Sequence, residues 1–129
     1  MEKHIEQFIL SADSKALGTI STSGIVNVVP VSSIKIINEK IVLVNYFMDK
    51  TLENIKSHNQ VSLVVWSKMM GYQIKGVAEY VTEGSIFDDI VLWIKETIPD
   101  RVVKGIIFIS PTEIYDIAPS KNTSELLVS

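Results

Sequence analysis

The chain has 129 residues, 47% of them hydrophobic and 21% charged, with no cysteine and a formal net charge of −3. One domain of that size buries roughly two-thirds of its unfolded surface, and a mean hydropathy of +0.27 points to a filled core rather than to disorder. The missing cysteines exclude disulfides, thiol nucleophiles and cysteine-ligated metal, and an acidic protein whose only arginine is Arg101 argues against nucleic acid as a partner.

Residues 2–12 place Ile5, Phe8, Ile9 and Ala12 at helical spacing, which predicts a short amphipathic helix broken by Asp13-Ser14-Lys15. Residues 16–22 read as a first strand, Ser23-Gly24 as a turn and residues 25–33 as a second strand. Pro30 falls inside that second run. It has no N–H to donate, so the strand must lie at an edge or bulge there. Residues 34–37 continue extended, Asn38-Glu39-Lys40 turn the chain, and residues 41–45 return through the apolar run Ile41-Val42-Leu43-Val44. The pattern predicts a meander of successive antiparallel strands.

The corner after that run, Asn45-Tyr46-Phe47-Met48-Asp49-Lys50, leads into a short helix over 51–57 with Leu52 and Ile55 on one face. His58-Asn59-Gln60 closes the helix, and residues 61–66 form a strand. A loop, Ser67-Lys68-Met69-Met70-Gly71, precedes a long strand over 72–82. There Tyr72, Ile74, Gly76, Ala78 and Tyr80 share one face, while Gln73, Lys75, Val77 and Glu79 share the other.

Ser85 is the expected N-cap of a further helix, with Asp88 and Asp89 in its first turn. Its apolar stripe is Ile86, Ile90, Trp93, Ile94 and Ile98, and Pro99 stops it. Residues 105–110 and 113–117 read as two strands separated by Pro111-Thr112. The tail from Pro119 is polar at first and ends Leu126-Leu127-Val128. Six or seven strands, three short helices and no β-α-β alternation predict one α+β domain over 1–129, a mainly antiparallel barrel or closed sheet with short flanking helices. No apolar run approaches the roughly 20 residues of a membrane span. Met1-Glu2-Lys3-His4-Ile5-Glu6-Gln7 is too polar for a secretory signal, so the expected compartment is the cytoplasm. The high apolar fraction fits extra buried surface between subunits.

Several chemistries lack their residues. Two histidines, His4 and His58, fall on different predicted helices and form no metal cluster. No Gly-x-Ser-x-Gly elbow, Walker loop or Gly-x-Gly-x-x-Gly is present. Asp88 and Asp89 are adjacent on a helix, point different ways, and suit the helix dipole better than acid–base work. Redox chemistry would therefore fall to a cofactor.

Two segments could hold one. At Pro30-Val31-Ser32-Ser33 the proline interrupts an edge, so backbone groups of Val31, Ser32 and Ser33 become available to the rim of a flat heterocycle. The plain alternative is an edge strand protected by proline. At the corner, Lys50, the Thr51 hydroxyl and the N–H groups of a first helical turn suit a phosphate. The alternative there is that Asp49 or Thr51 caps the helix and Lys50 is solvated. A ring edge and a phosphate seat at opposite ends of one pocket fit a mononucleotide such as a flavin.

The ordered segments Ala16-Leu17-Gly18-Thr19-Ile20-Ser21-Thr22, Asn27-Val28-Val29-Pro30-Val31-Ser32, Lys50-Thr51-Leu52-Glu53-Asn54-Ile55, Val61-Ser62-Leu63-Val64 and Tyr72-Gln73-Ile74-Lys75-Gly76-Val77-Ala78-Glu79 resemble the pyridoxamine 5′-phosphate oxidase-like flavin-binding proteins. That resemblance implies a split β-barrel homodimer with two FMN sites shared between the subunits. It implies that Val31, Ser32 and Ser33 lie along the flavin ring and that Asn45, Lys50 and Thr51 hold the phosphate. Trp66, Met69 and Tyr72 fall where the partner subunit would close the site, though an aromatic or Met near a strand end is ordinarily core or interface. Many relatives carry an arginine where this sequence has Asp49, which sets a carboxylate beside the expected phosphate seat. The oxidases that make pyridoxal phosphate also read a substrate phosphate with further basic residues and an arginine-bearing ending, which this sequence does not show.

The expected function is an FMN-dependent oxidoreductase passing electrons from a reduced nicotinamide or similar donor to a small acceptor, rather than a pyridoxal phosphate synthase. The alternatives are a non-enzymatic flavin carrier of the same fold, and a barrel that binds haem, a deazaflavin or nothing. Haem would want a well-placed axial ligand; a deazaflavin's acidic tail would want a more cationic groove.

Overall fold

The computed structural model describes residues 1–119 and 125–128. Helix α1 (Lys3–Ser11) precedes β1 (Ser14–Ile20), β2 (Val26–Pro30), β3 (Ile34–Ile37) and β4 (Lys40–Asn45). Helix α2 (Asp49–Ser57), β5 (Gln60–Ser67), β6 (Met70–Val81), α3 (Ser85–Thr97), β7 (Gly105–Asp116) and β8 (Glu125–Val128) follow. The polar stretch expected after Pro119 lies outside the described residues over 120–124. Among the described residues no helix is long and apolar enough to cross a membrane.

The strands form one antiparallel sheet in the order β2-β1-β5-β6-β7-β4-β3, with β8 added to β7. The expected meander holds within the hairpins β1–β2, β3–β4 and β5–β6 but fails between β2 and β3, which stand at opposite ends of the order. Seven flat strands spaced about 4.8 Å apart would set those ends roughly 29 Å apart. The backbone from Pro30 to Ile34 reaches at most about 14 Å. The sheet must therefore curl until its two edges face each other, and the three-residue connection 31–33 becomes the seam of a split barrel. Pro30 ends β2 on its outer edge, where its missing donor breaks no ladder.

Strand β4 is buried on both faces, as its uninterrupted apolar run requires. Ile41 and Leu43 join Leu17, Leu63, Ile74, Ile107 and Ile109 inside the barrel, where α1 adds Ile5 and Ile9. Val42 and Val44 point the other way and pack with Ile106 against Ile90 and Ile94 of α3.

Several boundaries differ from the sequence reading, two of them for a clear local reason. Gly84, with φ of 107°, rather than Ser85, occupies the N-cap position of α3. That backbone conformation favours glycine, and no capping bond from a side chain forms there. Only Asp88 of the expected acidic pair lies in the first turn. Residues 105–116 form one strand, not two. Pro111 pairs opposite Gly76 and Glu113 opposite Lys75, so Thr112 is the extra residue of a bulge and the ladder continues past the proline.

Candidate functional site

The seam 31–33 and the corner after β4 meet because both leave the β3–β4 hairpin at the same end. The Ser33 carbonyl accepts from Val44 N–H at 3.2 Å. Beyond it, the Ser33 and Tyr46 hydroxyls lie 2.7 Å apart in a buried setting and tie the seam to the corner. On the other side Val31 N–H donates to the Lys15 carbonyl at 2.9 Å. Val31 thus uses its N–H and Ser33 its carbonyl within the fold, as the pairing with β1 runs on past Pro30. Ser32, exposed, is the seam residue whose backbone N–H and carbonyl both lack partners among the described residues.

Asn45 builds the corner. Its Oδ1 accepts from Met48 N–H at 2.7 Å and its Nδ2 donates to the Tyr80 hydroxyl at 2.7 Å. Its backbone carbonyl accepts from Lys104 N–H at 3.0 Å, and the residue is 1% exposed. Bonds of this kind from an amide side group tighten a turn that a strand end alone would leave open. Gly105, paired with Asn45 across β4 and β7, is required here, because a methyl group in its place would overlap the Tyr80 ring.

Helix α2 begins with Met48 at the N-cap and no capping bond from a side chain. Neither Asp49 nor Thr51 caps it. Asp49 instead lies 3.5 Å from Lys104. Thr51 is buried and its hydroxyl accepts from Asn27 Nδ2 at 3.3 Å, which ties α2 to β2. Asn54 does the same toward β1, donating to Thr19 Oγ1 at 3.0 Å. Lys50 is exposed and reaches Glu53 at 3.5 Å. Pairs that open to solvent are weak and readily exchanged for a ligand.

Between seam and corner lies a cleft of about 350 Å³, walled by Pro30, Val31, Ser32, Tyr46, Phe47 and Arg101. Phe47, 78% exposed, stands at its mouth. Across the Pro30–Val31 ridge a second cleft, about 460 Å³, holds Lys15 and Trp66. Burial pushes the Lys15 ammonium below the usual lysine range and the Asp13 carboxylate pulls it partly back, while Nζ donates to the Ala12 carbonyl at 2.8 Å. Lys50 lines a third cleft with Ser21, Ser23 and Glu53.

The structure thus brings Val31 and Ser32 together in one cleft, with Ser33 directly behind it. It does not bring Lys50, Trp66, Met69 or Tyr72 into that cleft. Trp66 and Met69 meet at the β5–β6 turn. Tyr72 is buried with its ring edge-on to Phe8, centroids 5.3 Å apart, so its place is the core. Sequence reasoning missed Tyr46, Phe47 and above all Arg101. Its signal was its rarity, since it is the one arginine of the sequence. Its position follows only from the pairing of β7 with β4, which sets the loop before Gly105 beside Asn45. Among the described residues no group of three or more His, Cys, Asp or Glu could hold a metal ion.

A curled antiparallel sheet whose seam and corner enclose a ring-sized cleft defines a class of small split-barrel proteins. The chain belongs to the pyridoxamine 5′-phosphate oxidase family, whose sequence model matches residues 1–121. It is 31% identical to the uncharacterized protein MJ0282 of Methanocaldococcus jannaschii, over 97% of this chain and 88% of that one. Among solved structures, HupZ of Group A Streptococcus superposes with a TM-score of 0.83 at 18% identity, covering 97% of this chain and 98% of the other. An FMN-binding protein of Syntrophomonas wolfei superposes at 0.78 with 19% identity, covering 91% and 88%. The heme storage protein HutZ of Vibrio cholerae superposes at 0.66 with 16% identity, covering 85% and 89%. At these identities the structural likeness establishes the fold.

Proposed function

We propose that this protein binds FMN in the cleft between seam and corner and works as an oxidoreductase, moving electrons from a reduced nicotinamide or similar donor to a small acceptor. The observation that carries the reading is Ser32, whose open backbone groups sit on the rim of a cleft with apolar walls. A flat heterocycle with donors and acceptors on its rim suits that combination. A volume of about 350 Å³ falls within the range of small-molecule pockets, roughly 300–1,000 Å³. Family membership and the FMN-binding relative of the same fold support the same ligand.

The residues divide the work by their chemistry. The Ser32 N–H donates to an acceptor on the ring edge, and the hydroxyl pair of Ser33 and Tyr46 holds that amide in place from behind. Val29, Pro30, Val31 and Met48 keep water from the ring. Lys50 and the uncapped N–H groups at the start of α2 attract the phosphate. When bound, FMN supplies two-electron and one-electron chemistry that no side group here provides.

The reading includes a second copy of the protein. Val26 and Val28, 69% and 64% exposed, line the unpaired outer edge of β2, and Trp66, Met69 and Met70 add exposed apolar surface at the β5–β6 end. Apolar surface of this extent is what a partner covers. Trp66 and Met69 lie outside the cleft within one protomer, and in this reading the second copy brings them to it.

The absence of a histidine or carboxylate from the cleft walls favours flavin-only chemistry and leaves an electron carrier as the second reading. Anaerobic mixing of FMN-loaded protein with NADH or NADPH separates them: bleaching of the flavin supports the reductase, and no bleaching with either donor supports the carrier.

A further inference from the structure

Three cations surround the corner, and they are not equivalent. Lys50 Nζ lies 3.5 Å from Glu53, and Lys104 Nζ lies 3.5 Å from Asp49. Arg101 has no carboxylate within ion-pair distance among the described residues. Its guanidinium instead sits over two aromatic rings, 5.2 Å from the Tyr46 centroid and 6.0 Å from that of Phe47. Its backbone is fixed just after α3, where Arg101 N–H donates to the Ile98 carbonyl at 3.0 Å. Arg101 is also the cation on the wall of the seam cleft, sharing it with Ser32.

We infer that Arg101 is the anion-recognising residue of this cleft, taking the phosphate monoester of the bound mononucleotide. The inference deepens the FMN reading above and rests on it. A cation–π contact orients the guanidinium without consuming its N–H donors. The planar fork then matches two phosphate oxygens at once, which a lysine cannot do. No ion pair has to break first, whereas Lys50 and Lys104 each carry a carboxylate. Lys104 has a supporting part: paired with Asp49, it offsets the negative charge that would otherwise face the incoming phosphate. Lys50 and the start of α2 draw the anion to the corner, and the two-pronged grip falls to Arg101, some fifty residues further along the sequence.

The test compares FMN with riboflavin, which has the same ring and no phosphate, by fluorescence titration of the full-length protein and of Arg101→Gln and Arg101→Lys. The wild-type protein binds FMN more tightly than riboflavin. Arg101→Gln loses roughly ten- to a hundredfold in FMN affinity and leaves riboflavin binding unchanged, the scale expected for a charged hydrogen bond. Arg101→Lys falls between them. Because the residue is exposed, both variants keep the wild-type circular dichroism. An Arg101→Gln variant that retains the wild-type preference for FMN over riboflavin overturns the inference and leaves the flavin reading standing. A wild-type protein that takes up neither flavin overturns the flavin reading itself, and the role of Arg101 with it.

Discussion

The hydroxyl of Ser33 lies 2.7 Å from that of Tyr46, both buried, and this contact joins the seam of the barrel to the corner before α2. Thirteen residues apart in sequence, the two close one wall of the cleft from behind. Replacing Tyr46 with Phe leaves the Ser33 hydroxyl buried without a partner, at a cost of about 1–3 kcal/mol. Ser33→Ala alone costs a similar amount, and the double variant costs less than the sum, because nothing is then left unpaired. Denaturant unfolding of the four proteins measures the coupling.

Asp49 sits beside the expected phosphate seat and is held by Lys104 at 3.5 Å in an exposed pair. Removing the carboxylate with Asp49→Asn removes a repulsion, so FMN binds a few-fold tighter at low ionic strength, and the gain shrinks as salt is added. Lys104→Ala acts in the opposite direction by leaving Asp49 uncompensated. Unfolding free energies of both variants stay within about 1 kcal/mol of wild type, as exposed pairs contribute little to stability. Titration with FMN at two salt concentrations checks both signs.

Lys15 sits in the cleft across the Pro30–Val31 ridge, its ammonium held below the usual lysine range by burial, with Asp13 pulling it back. In the interval between its lowered folded value and the ordinary unfolded value of 10.5, the unfolded protein holds a proton that the native protein has released. Stability therefore rises with pH through that interval, and the penalty of burying the charged form is fully present below it. Lys15→Met removes this contribution. The difference in unfolding free energy between wild type and variant, measured from pH 7 to 11, should shift toward wild type as pH rises.

The repeating patterns of the sequence account for much of the fold. Alternation along Tyr72, Ile74, Gly76, Ala78 and Tyr80 marked the inner face of β6, and the apolar run 41–44 marked a strand buried on both sides. Long-range pairing left no local trace. Nothing near Pro30 says that β2 and β3 belong to opposite ends of the sheet, nor that Pro111 falls at a bulge rather than a strand break. Thr51 and Asn54 are polar residues of α2, yet both point inward, because their partners Asn27 and Thr19 lie on strands distant in sequence. The same reason hid half of the cleft. Val31 and Ser32 were readable from the proline beside them, whereas Arg101 reaches the cleft only through the pairing of β7 with β4.

The visible absorption spectrum of freshly purified protein, followed by addition of FMN, tests the central claim most directly. Flavin bands at purification, or their appearance with saturable fluorescence quenching at one FMN per protomer, are the predicted result. A haem Soret band in place of flavin, or a colourless protein that leaves added FMN fluorescence unchanged, would contradict it.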